Sequence, residues 1–163
     1  MKAIVVYYSL EGNTDFAARE IARRLGARLL RLLPKKTYPT KGFRKFFWGG
    51  KSAVMAETPA LEPYDFSGAE YDLVILGFPV WASSIAPPIR TFLKENDLRQ
   101  KRLAAFACQS GSGAEKAFGK LLNCVGAGDL ERTLVLIDPK DKPCAENDEK
   151  IKKFCEALEK AGS

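Results

Sequence analysis

Residues 2–8, 72–78, 102–108 and 133–138 are runs of almost continuous apolar side chains, and each is followed by a stretch of helical period. Apolar runs this short, with no polar alternation, are the pattern of parallel strands covered on both faces. A weaker alternating run at 28–33 supplies a fifth strand. Among the helical stretches, Phe16, Ala17, Ile21, Ala22 and Leu25 share one face before Gly26 stops it, and Ile89, Phe92 and Leu93 do the same after Pro87-Pro88. Ser112-Gly113-Ala114-Glu115 has the spacing of a capping box ahead of Ala117, Phe118, Leu121 and Leu122. A last helix runs through Ile151, Phe154, Cys155 and Leu158 and ends near Gly162. Strands alternating with helices imply right-handed crossovers. The expected fold is therefore a doubly wound α/β domain over residues 1–163, with a five-stranded parallel sheet and about five helices.

Folds of this class bind ligands outside the carboxyl ends of the strands, so the loops that leave them carry the functional reading. The first, Ser9-Leu10-Glu11-Gly12-Asn13-Thr14, joins the first strand directly to a helix. Free N–H groups at the start of that helix, the positive end of its dipole and the hydroxyls of Ser9 and Thr14 suit a phosphate. The turn contains neither Lys nor Arg, so it is no Walker loop, and it lacks the three-glycine fingerprint of dinucleotide folds. It suits one terminal phosphate held by neutral donors. The second loop, Gly77-Phe78-Pro79-Val80-Trp81-Ala82-Ser83-Ser84, presents a large flat aromatic, and the third, Gln109-Ser110-Gly111-Ser112-Gly113, brings flexible backbone close. Together they suit a flat heterocycle with a single phosphate, which is the shape of flavin mononucleotide, FMN.

Several chemistries are excluded outright. The chain has no histidine, which removes Ser-His-Asp and Cys-His nucleophile systems, His-ligated metals and a His general base. Cys108, Cys124, Cys144 and Cys155 form no C-x-x-C pair, so disulfides and structural zinc are not expected. No apolar run approaches the ~20 residues that span a bilayer, and Met1-Lys2 enters the first strand directly, so a soluble cytoplasmic protein is expected. The net charge of +6 resides in residues 34–56, where Lys35, Lys36, Lys41, Arg44, Lys45 and Lys51 stand with no acidic residue. Phe43, Phe46, Phe47 and Trp48 lie among them at roughly helical spacing. Residues 34–60 thus form a basic, aromatic excursion between the second and third strands. No nucleic-acid module accompanies the basic residues, and no nucleic-acid role is expected.

The sequence strand-Y-S-x-x-G-N-T-helix, followed by G-F-P-V-W-A and A-P-P-I-R-T-F-L, resembles the flavodoxin family, and the resemblance covers nearly the whole chain. It implies an FMN-binding domain with strand order 2-1-3-4-5. By position, Ser9, Leu10, Gly12, Asn13 and Thr14 would surround the phosphate, with Glu11 in the same turn and its charge directed away. Pro79, Val80, Trp81 and Ala82 would line the ring on one side, and Gln109, Ser110, Gly111 and Gly113 on the other. Two departures stand out. Glu11 takes a place where the family often has a hydroxyl residue, and the sequence pI near 9.2 contrasts with the acidic long-chain electron carriers.

Related folds are ruled out by what the loops lack. A phospho-receiver domain needs an acidic cluster after the first strand, where this chain has Tyr8-Ser9, and a small tyrosine phosphatase needs Cys and Arg bracketing the first loop. Two expectations remain: an electron shuttle between redox partner proteins, one of them acidic, or an FMN-dependent oxidoreductase acting on NAD(P)H, a quinone or a flavin. A further expectation concerns the second loop, which contains no glycine between Gly77 and Gly111. Residues with side chains resist φ > 0, so a loop that cannot turn over should favour two-electron over one-electron exchange.

Overall fold

The computed structural model describes residues 1–40, 51 and 56–163. Its strands are β1 (Ala3–Tyr7), β2 (Arg28–Arg31), β3 (Leu73–Pro79), β4 (Arg102–Gln109) and β5 (Arg132–Ile137). The helices are α1 (Asn13–Leu25), α2 (Pro87–Glu95), α3 (Ala114–Val125) and α4 (Ala145–Ala161), with a short 3-10 turn at Gly68–Glu70. All pairings are parallel and the order is β2-β1-β3-β4-β5, as the doubly wound reading requires. Phe43, Phe46, Phe47, Trp48, Lys41, Arg44 and Lys45 lie outside the described residues.

The two-residue period of the strands divides the core into two layers. Val6, Val74, Leu76, Phe78 and Ala105 face α2 and α3, whose Ile89, Phe92, Phe118 and Leu121 complete that layer. On the opposite face Val5, Tyr7, Leu73, Ile75 and Phe106 meet Ala17, Ala18 and Ile21 of α1 and Ile151, Phe154 and Leu158 of α4. Strands buried on both sides need apolar residues at every position, which is why their sequence runs are uninterrupted.

Three local expectations are corrected. Phe16 is not on the buried face of α1 and stands 39% exposed. The buried stripe is Thr14, Ala17, Ala18, Ile21 and Ala22, and at 3.6 residues per turn Phe16 falls on the other side of the helix. The capping box at 112–115 does not form: the N-cap of α3 is Gly113, with no side-chain cap. Instead the Ala114 N–H donates to Oε1 of Gln109 at 3.0 Å. The second strand ends at Arg31 rather than near Leu33, although the Leu32 N–H still donates to the Tyr7 carbonyl at 2.8 Å. Beyond it the chain turns away, and an antiparallel bridge between Pro34 and Leu61 closes the neck of the excursion. Pro34 has no N–H, so the bonds there flank it, Lys35 N–H to the Ala60 carbonyl and Glu62 N–H to the Leu33 carbonyl.

Candidate functional site

β1 ends where the Tyr8 N–H donates to the Gly77 carbonyl at 3.1 Å, and the chain then lifts off the sheet into the 9–14 turn. Gly12 adopts φ 101°, a conformation open to glycine and costly for other residues. That places its N–H on Oγ of the buried Ser9 at 3.2 Å and its carbonyl under the Phe16 N–H at 2.9 Å, which is the first helical bond of α1. The N–H groups of Asn13 and Thr14 precede that bond and have no acceptor within the helix. They are the orphan donors the sequence promised. Thr14 is buried, and its hydroxyl reaches the thiol of Cys108 at the back of the cleft. Burial pushes that thiol up to about 12, so it stays protonated.

The second loop forms a tight hairpin. Trp81 and Ser84 exchange both backbone hydrogen bonds, at 3.1 and 2.9 Å, around Ala82 and Ser83 with φ 48° and 54°. Two consecutive left-handed residues in a two-residue loop make a turn of the I′ kind, which normally recruits Gly or Asn. The glycine-free sequence therefore does not keep this loop out of φ > 0, and the expectation built on its resistance loses its premise. Neighbouring contacts hold the turn in place. Ser83 packs on Gly113 so closely that a Cβ there would lie 2.6 Å from its Oγ and 2.9 Å from its Cα. Oγ of the fully buried Ser84 accepts from the Arg90 guanidinium on α2 at 3.0 Å.

Trp81 stands in an aromatic cluster. Its ring meets Tyr8 edge-on with centroids 5.7 Å apart and Tyr38, from the neck of the excursion, at 5.1 Å. Burial raises the Tyr8 hydroxyl above the ordinary tyrosine range, with the Arg31 guanidinium pulling weakly the other way.

These loops enclose a cleft of about 340 Å³, within the roughly 300–1,000 Å³ of small-molecule sites. The first loop lines it with Ser9, Leu10, Glu11, Asn13 and Thr14, the second with Pro79, Val80, Trp81 and Ala82, and the third with Gln109, Ser110 and Gly111. Gly12 and Gly113, also expected at the site, shape the loops without lining the cleft. Ser112 of the third loop also lines the cleft, and sequence reasoning missed Cys108 and Asp138, which complete the wall. Asp138 follows β5 with φ 40° and is 8% exposed; Oδ1 accepts from the Ser110 hydroxyl at 2.7 Å and Oδ2 pairs with Lys142 at 3.0 Å. Its signal was an acidic residue closing an apolar strand at the ligand-binding edge. Asn13 holds a second surprise, because its side chain clasps the loop after β5. Oδ1 accepts from the N–H groups of Lys140 and Asp141 at 2.9 and 3.2 Å, and Nδ2 donates to Oδ2 of Asp141 at 2.9 Å.

The first loop brings N–H and hydroxyl donors to the cleft, the second the apolar wall of Pro79, Val80 and Trp81, and the third further polar groups. A phosphorylated flat heterocycle fits that lining. Among the described residues no group of three or more Cys, Asp or Glu side chains is arranged to hold a metal ion, and no helix is long and apolar enough to cross a membrane.

Comparison with known proteins agrees with this fold. A flavoprotein from Lactobacillus acidophilus, solved in complex with FMN, superposes with a TM-score of 0.74 at 18% identity, covering 94% of this chain and 97% of that one. Candidate flavoproteins from Bacteroides eggerthii and Bacteroides uniformis give TM-scores of 0.79 and 0.78 at 20% and 25% identity. The first match covers 96% of this chain and 97% of the other, the second 95% and 97%. The sequence itself matches the family described as Flavodoxin over residues 2–136. With the turn, the hairpin and the third loop all on their expected strand ends, the chain belongs to the flavodoxin family.

Proposed function

We propose that the protein binds FMN in the cleft and uses it to pass electrons between a donor and an acceptor. The observation that carries this reading is the convergence of a cation-free phosphate turn, an aromatic-walled slot and a glycine-rich polar loop on one cleft. FMN, when bound, would supply the redox chemistry, and a chain without histidine would leave acid–base steps to other groups. The protein's part is placement. The N–H groups of Asn13 and Thr14 and the hydroxyl of Thr14 receive the phosphate, Ser9 fixes the turn through Gly12, and Trp81 and Val80 hold the ring and keep water from one side of it. Gln109 and Ser110 line the side of the ring opposite Trp81.

The test is a titration with FMN and riboflavin, which differ only in the phosphate. A charge-assisted hydrogen bond contributes about 1.5–3 kcal/mol, so riboflavin should bind at least about tenfold more weakly. Ser9→Ala with Thr14→Val should remove most of that difference; equal affinity of the native protein for both flavins would overturn the phosphate assignment.

The excess positive charge of residues 34–56 favours an acidic partner protein, and the same charge would also suit an anionic nicotinamide dinucleotide. Oxidation of NADH or NADPH with a quinone as the only acceptor separates the two. Turnover without a partner protein makes the chain an oxidoreductase, and a coloured protein that is inert alone makes it a shuttle.

A further inference from the structure

The phosphate turn has no cation in sequence, yet the fold brings two to it: the Arg31 guanidinium, held by the Ser9 carbonyl at 3.2 Å and by Asp15 at 3.7 Å, and Lys140 beside Gly12. Asp138 bends the chain at the end of β5, and its carbonyl accepts the Lys142 N–H at 2.7 Å, closing a tight turn with Lys140 near its tip. The Asn13 side chain fastens that tip to the start of α1 through both backbone N–H groups and Asp141. The Lys140 side chain then lies along Gly12, where a Cβ would stand 3.2 Å from Cδ, 3.3 Å from Cε and 3.4 Å from Nζ. Gly12 is needed for its backbone angle, and its missing Cβ leaves the lysine room to lie close against the turn.

The ammonium pairs with Oδ1 of Asp141 at 2.9 Å, with the two side chains 44% and 50% exposed. A pair this open contributes little, so giving it up for a stronger anion costs little. A phosphate monoester carries about two negative charges at neutral pH, against one on a carboxylate. Building on the FMN reading, we propose that Lys140 is the counter-cation of the phosphate site, exchanging Asp141 for the phosphate when the cofactor binds. The site would then recognise the phosphate by charge as well as by hydrogen bonds. The loop after β5 becomes part of cofactor selection, a role the sequence position of Lys140 does not suggest.

The experiment is fluorescence titration of FMN and riboflavin into the native chain, Lys140→Met, Asp141→Asn and the double variant. Methionine keeps the aliphatic packing on Gly12 and removes the charge. Lys140→Met should lower FMN affinity about tenfold, leave riboflavin unchanged and flatten the decline of FMN affinity with added salt. Asp141→Asn, which frees the ammonium, should raise FMN affinity a few-fold in the native background and have no effect beside Lys140→Met. If the FMN-to-riboflavin ratio of Lys140→Met equals that of the native chain, or if Asp141→Asn acts equally in both backgrounds, Lys140 is a surface ion pair and the proposal fails. A native chain that binds both flavins equally refutes the underlying phosphate reading instead.

Discussion

Gly77 and Phe106 are register partners in β3 and β4, and the phenyl ring lies directly over the glycine, so that a Cβ on residue 77 would fall 2.1 Å from its Cζ. Phe106 is fully buried between the sheet and α1 and has nowhere to move. Gly77→Ala should therefore destabilise the fold by about 1–3 kcal/mol or more in urea denaturation, and Phe106→Leu in the same chain should recover part of the loss. The cysteines separate equally sharply. Cys108 and Cys155 are buried and their thiols are pushed up to about 12, whereas Cys124 and Cys144 are exposed. Iodoacetamide should label only the latter two in the native protein, and all four once it is unfolded. Because the buried thiols hold their protons more tightly folded than unfolded, stability is fully present below the ordinary thiol pKa near 9 and falls as pH rises from there toward 12. Unfolding midpoints measured across that window should decline less steeply in Cys155→Ala. At the cleft, Trp81→Ala should remove both flavin quenching and about 0.5–1.5 kcal/mol of binding. Unchanged quenching would assign the tryptophan to its contacts with Tyr8 and Tyr38 alone.

Among the elements, the hairpin at 81–84 is the place where local preference and structure disagree. Ala82 and Ser83 sit at φ 48° and 54° without glycine or asparagine, and the contacts of Ser83 with Gly113 and of Ser84 with Arg90 compensate. Ala82→Gly should raise unfolding free energy by about 1 kcal/mol, read from chemical denaturation, because the strain is relieved at a position whose side chain only lines the cleft. The strands were legible because burial on both faces forces apolar residues at every position, and that constraint is written locally. The edge strand β2 was legible only in part, since its Arg28 and Arg31 face outward and its end is set by where the Tyr7 carbonyl ceases to pair. The cap of α3 was misread for a related reason. Ser112 and Glu115 have the right spacing, but close approach of the hairpin selects Gly113 as the cap. Phosphate-turn and ring-loop positions were readable because each is adjacent in sequence to its strand. Asp138, which lines the cleft, and Lys140, which lies against the phosphate turn, were not, because a turn after β5 and a clasp to a residue more than a hundred positions away bring them there.

For the molecule as a whole, charge and topology act at different places. The sheet sets the cleft at its carboxyl edge, while the positive excess belongs to residues 34–56, whose neck carries Tyr38 to Trp81. Reduction by an acidic partner protein should therefore slow as ionic strength rises, since a Debye length of ~8 Å at physiological salt screens such docking. Reversing Lys41, Arg44 and Lys45 to Glu should abolish that dependence, as stopped-flow kinetics would show. The clasp of Asn13 on Lys140 and Asp141 also has a temporal meaning. β1 is made before the other strands of this sheet yet lies inside it between β2 and β3, and its turn is completed by residues made more than a hundred positions later. A nascent chain halted before residue 140 would carry the turn, the hairpin and the third loop yet lack the segment that fastens them. A fully fastened turn must therefore wait until the segment after β5 has been made.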